Sequence, residues 1–171
     1  MVVRTIDKFS KIAPVDVPFV PGNHDKETIY YLGEVLEAWY RNCPNVTIMN
    51  APTLRKYYTW ESTLIGYTHG NEEKHAHLPT IMALDVRKEW GNATHLEWRV
   101  GHLHSRKDTA YSVTTQTNEQ ATVMVRQLPS LSPPDAWHAS KGYLNQSTAT
   151  LFVHEKKHGV IAQFTHRPDM R

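Results

Sequence analysis

The sequence predicts a mixed α/β domain. Two segments with helical apolar spacing flank a short apolar strand at the start of the chain, strand-like runs dominate the remainder, and the early strands run directly into loops carrying Gly, Asn or His. A length of 171 residues with 40% hydrophobic and 21% charged side chains suits a single domain, 1–171, with a core of its own. Residues 2–13 place Val2, Val3, Ile6, Phe9, Ile12 and Ala13 near helical spacing, and Pro14 ends the run. Residues 15–20 read as a short buried strand broken by Pro21-Gly22. A helical pattern resumes over 26–42 through Ile29, Leu32, Val35, Leu36 and Trp39, so Tyr30, Tyr31 and Trp39 fit a packing face. Asn23, His24 and Asp25 then fall on a strand-to-helix loop, where open α/β sheets hold ligands.

After Pro44, strands are expected over 46–49, 55–60 and 63–67, the last running into Thr68-His69-Gly70. Residues 78–90 read as one helix stopped by Gly91-Asn92, and 95–100 as a strand that ends at Gly101-His102-Leu103-His104. Further strands are expected at 110–115, 122–128, 148–154 and 160–165, with a loop and short helix over 130–141.

A formal charge of +2, spread without a long basic run, names no nucleic-acid or membrane partner. Cys43 is alone, so no internal disulfide is possible; with neither a leader nor an apolar span in view, the expected location is the cytoplasm. Eleven histidines fit either metal chemistry or a polar surface.

Asn23-His24-Asp25, His69-Gly70 and Gly101-His102-Leu103-His104 follow three expected strands in order. Together with Gly22 they resemble the later signatures of the calcineurin-like metallophosphoesterases. That resemblance implies a metallophosphoesterase-type α/β/β/α sandwich of mixed sheets. It implies that Asn23, His69 and His102 ligate one metal and His104 a second, that His24 steadies the phosphate or protonates the leaving oxygen, and that Asp25 orients His24. Imidazoles and an amide oxygen suit divalent Mn, Fe or Zn, and glycines at 22, 70 and 101 let backbone approach metal or phosphate. The chain is similar in particular to a phage and prophage branch, through Tyr31-Leu32-Gly33-Glu34-Val35-Leu36, Pro52-Thr53-Leu54-Arg55-Lys56-Tyr57-Tyr58, Glu72-Glu73-Lys74-His75, Leu128-Pro129-Ser130-Leu131-Ser132 and Asp135-Ala136-Trp137-His138. The branch implies a nucleotidic phosphodiester as substrate, whether cyclic, oligonucleotide or a DNA end, and the host cytoplasm as location. His75 is weighed as a substrate contact against a surface residue. Trp137 and His138 are candidates to cap the pocket, with Trp137 stacking on a base or filling a core. His95, His154, His158 and His166 read as surface residues.

The family's opening Asp-x-His and Gly-Asp-x-x-Asp motifs, which supply carboxylates to both metals, do not occur here; Asp7 and Asp16 fit neither. Two divalent ions about 3.5 Å apart repel by about 19 kcal/mol at an effective dielectric of 20. The expectation is therefore at most one ordered ion, at Asn23, His69 and His102, with His104 joining it or idle. The expected fold lacks N-terminal strands and leaves an apolar sheet edge for a companion polypeptide or a second copy to cover. Three explanations stand side by side: a companion polypeptide carries the missing segment, the frame begins upstream of Met1, or catalysis is lost and binding kept. The rival functional class is thus a catalytically incomplete fragment, acting as a subunit of a split enzyme or as a ligand-binding module.

Overall fold

The computed structural model describes residues 2–103, 105–114, 120–131 and 147–167. The chain divides into two units, Met1–Lys56 and Tyr57–Arg171.

The first unit contains α1 (Val2–Phe9), β1 (Val15–Pro18), α2 (Lys26–Tyr40) and β2 (Val46–Met49). β1 and β2 pair in parallel, Val15 opposite Val46 and Pro18 opposite Met49. The N–H groups of Val15 and Phe19 donate to Asn45 O and Met49 O, so the odd residues of this strand face β2. The even positions face away, and there Pro14, just before the strand, and Pro18, its last residue, have no N–H. Ile6, Phe19, Leu36 and Tyr40 form the core, with Val3, Ile29, Val46 and Ile48 packed on it. Burial and the Asp7 carboxylate, 2.8 Å from its hydroxyl, push the Tyr40 phenol up to about 12.

Two expectations are corrected here. α1 ends at Phe9, and a turn follows that leaves Ile12 82% exposed. α2 buries Gly33, Leu36 and Tyr40, whereas Tyr31, Val35 and Trp39 are exposed. The cause is Gly33: a Cβ there would lie 2.0 Å from Asn50 Oδ1, so the side of the helix without a side chain is the side that packs.

The second unit holds β3 (Lys56–Trp60), which starts at the unit boundary, β4 (Thr63–Thr68), a 3-10 turn (His75–His77), α3 (Leu78–Asp85), α4 (Arg87–Asn92), β5 (His95–Val100), β6 (Lys107–Thr114), β7 (Gln120–Gln127), β8 (Ala149–Glu155) and β9 (Gly159–His166). A mixed five-stranded sheet runs β3-β4-β5-β7-β6, parallel across β4, β5 and β7 and antiparallel between β7 and β6; β8 and β9 form an antiparallel hairpin. The α/β class is as the sequence predicts. Alternation along β5 sorts the two faces. Leu96, Trp98 and Val100 join Leu64, Val123 and Val125 under Leu78 and Met82 of α3, and Trp98 Nε1 donates to Leu78 O at 3.0 Å. The single helix expected over 78–90 is interrupted at Val86, whose φ of −133° and ψ of 58° leave the helical region. Val86 and Trp90 both pack against the core. No helix among the described residues is long and apolar enough to cross a membrane.

The other side of β5 and β7 carries charge. Glu97 Oε2 lies 2.8 Å from Arg99 Nη1 and 3.1 Å from Arg126 Nε, and Arg126 Nη1 reaches Asp108 Oδ2 at 3.1 Å. The Arg99 guanidinium sits 3.6 Å from the centroid of Phe152, on β8. His154, two residues on, accepts from Arg99 Nη2 at 3.4 Å and is partly buried, which corrects its expected surface placement. Burial first, then the Arg99 and Arg126 charges, hold its imidazole below the ordinary histidine value against the opposing pull of Glu97.

Candidate metal centre

Parallel pairing of β4 with β5 sets Thr68 opposite Val100, so the residues that follow leave the sheet side by side. They are His69 and, after Gly101, His102. The Gly101 N–H donates to His69 O at 3.1 Å, extending the ladder past the strand ends. His102 Nδ1 and His69 Nε2 approach to 3.2 Å, with ring centroids 5.0 Å apart and planes at 69°.

The backbone is bent to achieve this. His102 has a φ of +62°, in the left-handed region that costs a side-chain-bearing residue about 1–2 kcal/mol. Gly70 has a φ of +94°, and a Cβ there would stand 2.3 Å from Val100 Cγ1, so glycine is required by conformation and by space. Gly101 is different: a Cβ would meet His69 O at 3.5 Å and Nδ1 at 3.7 Å, ordinary contacts, so local packing does not demand glycine there.

Two residues passed over in the sequence hold these loops. Gln127, 4% exposed at the end of β7, donates from Nε2 to Ser105 O at 2.9 Å and Ser105 Oγ at 2.6 Å, tying down the segment after His102. Thr68 Oγ1 donates to Glu73 Oε2 at 3.2 Å, folding the post-β4 loop back on its strand. The available signal was a glutamine continuing the inward, otherwise apolar row of Ala121, Val123 and Val125 on β7.

Asn23, His24 and Asp25 lie in the first unit, exposed between β1 and α2 as expected. Asp25 Oδ1 accepts the Gly22 N–H at 2.7 Å; the carboxylate thus closes its own loop, where the resemblance implied that it orients His24. His75 opens the 3-10 turn, half-buried. Burial, and then the Lys107 charge, hold its imidazole below the ordinary value. His104, Trp137 and His138 lie outside the described residues.

As a donor set, the His69–His102 pair fits a borderline divalent ion. Two imidazole nitrogens, each about 2.0–2.1 Å from one ion at a near-tetrahedral angle, stand roughly as far apart as these two. The same separation accommodates an N–H···N hydrogen bond between neutral rings. Among the described residues, no group of three or more His, Cys, Asp or Glu side chains is placed to hold a metal.

No protein-family model and no curated protein matches the chain. Among solved structures, a conserved uncharacterized protein (predicted phosphoesterase) from Streptococcus pneumoniae TIGR4 is 14% identical, with 89% of this chain and 96% of that chain covered and a TM-score of 0.29. At that TM-score the likeness carries neither fold nor function to this chain.

Proposed function

We propose that this chain is a metal-dependent phosphoesterase of the calcineurin-like type, acting on a nucleotidic phosphodiester. The observation that carries the reading is the 3.2 Å approach of His69 Nε2 and His102 Nδ1 at the ends of adjacent parallel strands. Sequence resemblance supports it by adding Asn23 and His104 as further ligands of divalent Mn, Fe or Zn, and the phage-branch stretches support the nucleotidic substrate. A bound divalent ion supplies positive charge to the phosphoryl oxygens and lowers the pKa of water. The chain's own residues do the rest. Hydrolysis adds water across the P–O bond, and His24, exposed on its loop, hands a proton to the departing oxygen. Asp25 keeps that loop closed through the Gly22 N–H. His75 is held toward its neutral form, able to accept from a substrate hydroxyl.

A second reading is a binding module that holds metal and ligand without turnover, alone or with a companion polypeptide. It is favoured by the two-imidazole donor set. The test is release of p-nitrophenolate from bis(p-nitrophenyl) phosphate with Mn²⁺, for the wild type and for His24→Ala and His69→Ala. Chelator-sensitive turnover that falls about 100-fold or more in His24→Ala supports the enzyme. Mn²⁺ binding lost in His69→Ala without turnover in any protein supports the module; wild type that neither binds Mn²⁺ nor turns over refutes both.

A further inference from the structure

We propose that the first unit carries a preformed seat for a nucleobase, placed so that the phosphate of the same nucleotide meets the Asn23-His24-Asp25 loop. The phosphate half of this inference rests on the function proposed above, while the base half stands on the cleft alone. β1 and β2 end side by side, and the chain diverges beyond them, leaving a cleft of about 290 Å³ between residues 19–21, the first turns of α2 and residues 50–54. Phe19, Tyr30, Tyr31, Pro52 and Leu54 make its lining mainly apolar and rich in rings. Pro21 and Lys26 also line it, and they bracket residues 22–25. A ligand in the cleft therefore borders the loop that carries His24.

Two buried polar side chains hold the walls. Asn50, 7% exposed, donates from Nδ2 to Tyr30 O and to Glu34 Oε1, each at 3.1 Å, which fixes the end of β2 against the second turn of α2. Lys56, 5% exposed, gives its ammonium to Ala51 O, to Thr53 O at 2.5 Å and to Thr53 Oγ1 at 3.0 Å. A buried ammonium is costly without such acceptors, so the carbonyls of Ala51 and Thr53 are held turned toward Lys56. The cleft wall is thus set before any ligand arrives, and little ordering is left to oppose binding.

The lining selects the class of occupant. Tyrosine and phenylalanine rings favour a flat aromatic ring, which stacks irrespective of its sequence identity. Lys26 and Glu27 place a donor and an acceptor among the lining residues, which suits a heteroaromatic ring with polar edges better than an aliphatic chain. The volume suits one small ligand.

The experiment is amide NMR and calorimetric titration of the full chain with adenosine, adenosine 5′-monophosphate and ribose 5-phosphate, without added metal. Adenosine is expected to bind and to shift the amides of residues 29–31 and of Ala51, Thr53 and Leu54. Ala51→Trp, which fills the cleft, is expected to weaken adenosine and the monophosphate about ten-fold or more, with ribose 5-phosphate unchanged. Tyr31→Ala, at a ring that is 65% exposed and so dispensable to the core, is expected to weaken both base-bearing ligands without altering the thermal midpoint. It decides the matter if Ala51→Trp does not fold. Absence of adenosine binding, shifts confined to other residues, or affinities indifferent to these substitutions would overturn the seat. Adenosine bound in the cleft of a protein that never hydrolyses bis(p-nitrophenyl) phosphate supports the seat and removes only the phosphoesterase reading.

Discussion

Replacing His102 in two ways separates what its backbone does from what its ring does. Both His102→Ala and His102→Gly delete the imidazole that faces His69, but only glycine is at ease at a φ of +62°. Alanine in the left-handed region costs about 1–2 kcal/mol relative to glycine. Glycine's greater freedom in the unfolded chain offsets about 0.5–1 kcal/mol of that difference. The glycine variant is therefore expected to be the more stable by about 0.5–1 kcal/mol, or roughly 1–4 °C in thermal midpoint for a chain of this size. Urea unfolding in chelator, followed through tryptophan fluorescence, to which the buried Trp98 contributes, measures it. Repeating the titration with Mn²⁺ at about 100 times its dissociation constant should stabilise the wild type by about 2.7 kcal/mol and neither variant. An alanine variant as stable as the glycine variant would refute the strained placement of His102, and equal Mn²⁺ stabilisation of all three proteins would refute its role as a ligand.

Three other outcomes follow from the second unit. Gly66→Ala sets a Cβ 2.7–2.8 Å from the Trp98 ring, which nothing in a close-packed core can absorb cheaply; a loss of about 1–3 kcal/mol and an altered Trp98 emission are expected, and an unchanged urea midpoint would contradict the packing. Glu97→Gln leaves the 6%-exposed Arg99 beside a neutral amide, and breaking a buried pair of this kind costs about 3–5 kcal/mol; a denaturation difference below about 1 kcal/mol would show that the pair is hydrated. For pH, the folded value of His154 is depressed by burial, Arg99, Arg126 and His95, with Glu97 opposing. Its contribution to stability is full above the unfolded value of about 6.5 and is lost as pH falls toward the lower folded value, because the unfolded chain takes up the proton first. The half-buried His75 acts in the same sense. His154→Gln should flatten the loss of stability between roughly pH 7 and 5, and an unaltered acid slope would dispose of the idea.

Much of this arrangement was legible because the signals were local. β2 and β5 have the bounds expected of them, and the loops after β4 and β5 carry the histidines that the structure brings together. Signals that depend on a partner were not legible. The packing side of α2 was misjudged because Gly33 adds nothing to an apolar pattern, while Tyr31 and Trp39, both exposed, add a great deal. The start of β6 at Lys107 was missed because Lys107, Asp108 and Thr109 look like a turn; they lie on an edge strand, and Asp108 is matched by Arg126 across the ladder. His154 looked like a surface residue because the arginines above which it lies are distant in sequence. Arg126 joins Glu97 and Arg99 from too far along the chain for charge patterning to detect.

Pro14, just before β1, and Pro18, its last residue, bear on how this chain can associate. Along residues 14–18 the side away from β2 carries the carbonyls of Pro14, Asp16 and Pro18, and of these three residues only Asp16 has an N–H. Two copies brought together through this edge would set oxygen against oxygen and form hardly a ladder. With two of the three donors on that side removed by proline, an edge-to-edge pairing of two copies through this strand would gain few hydrogen bonds, and the strand is defined by what it cannot donate.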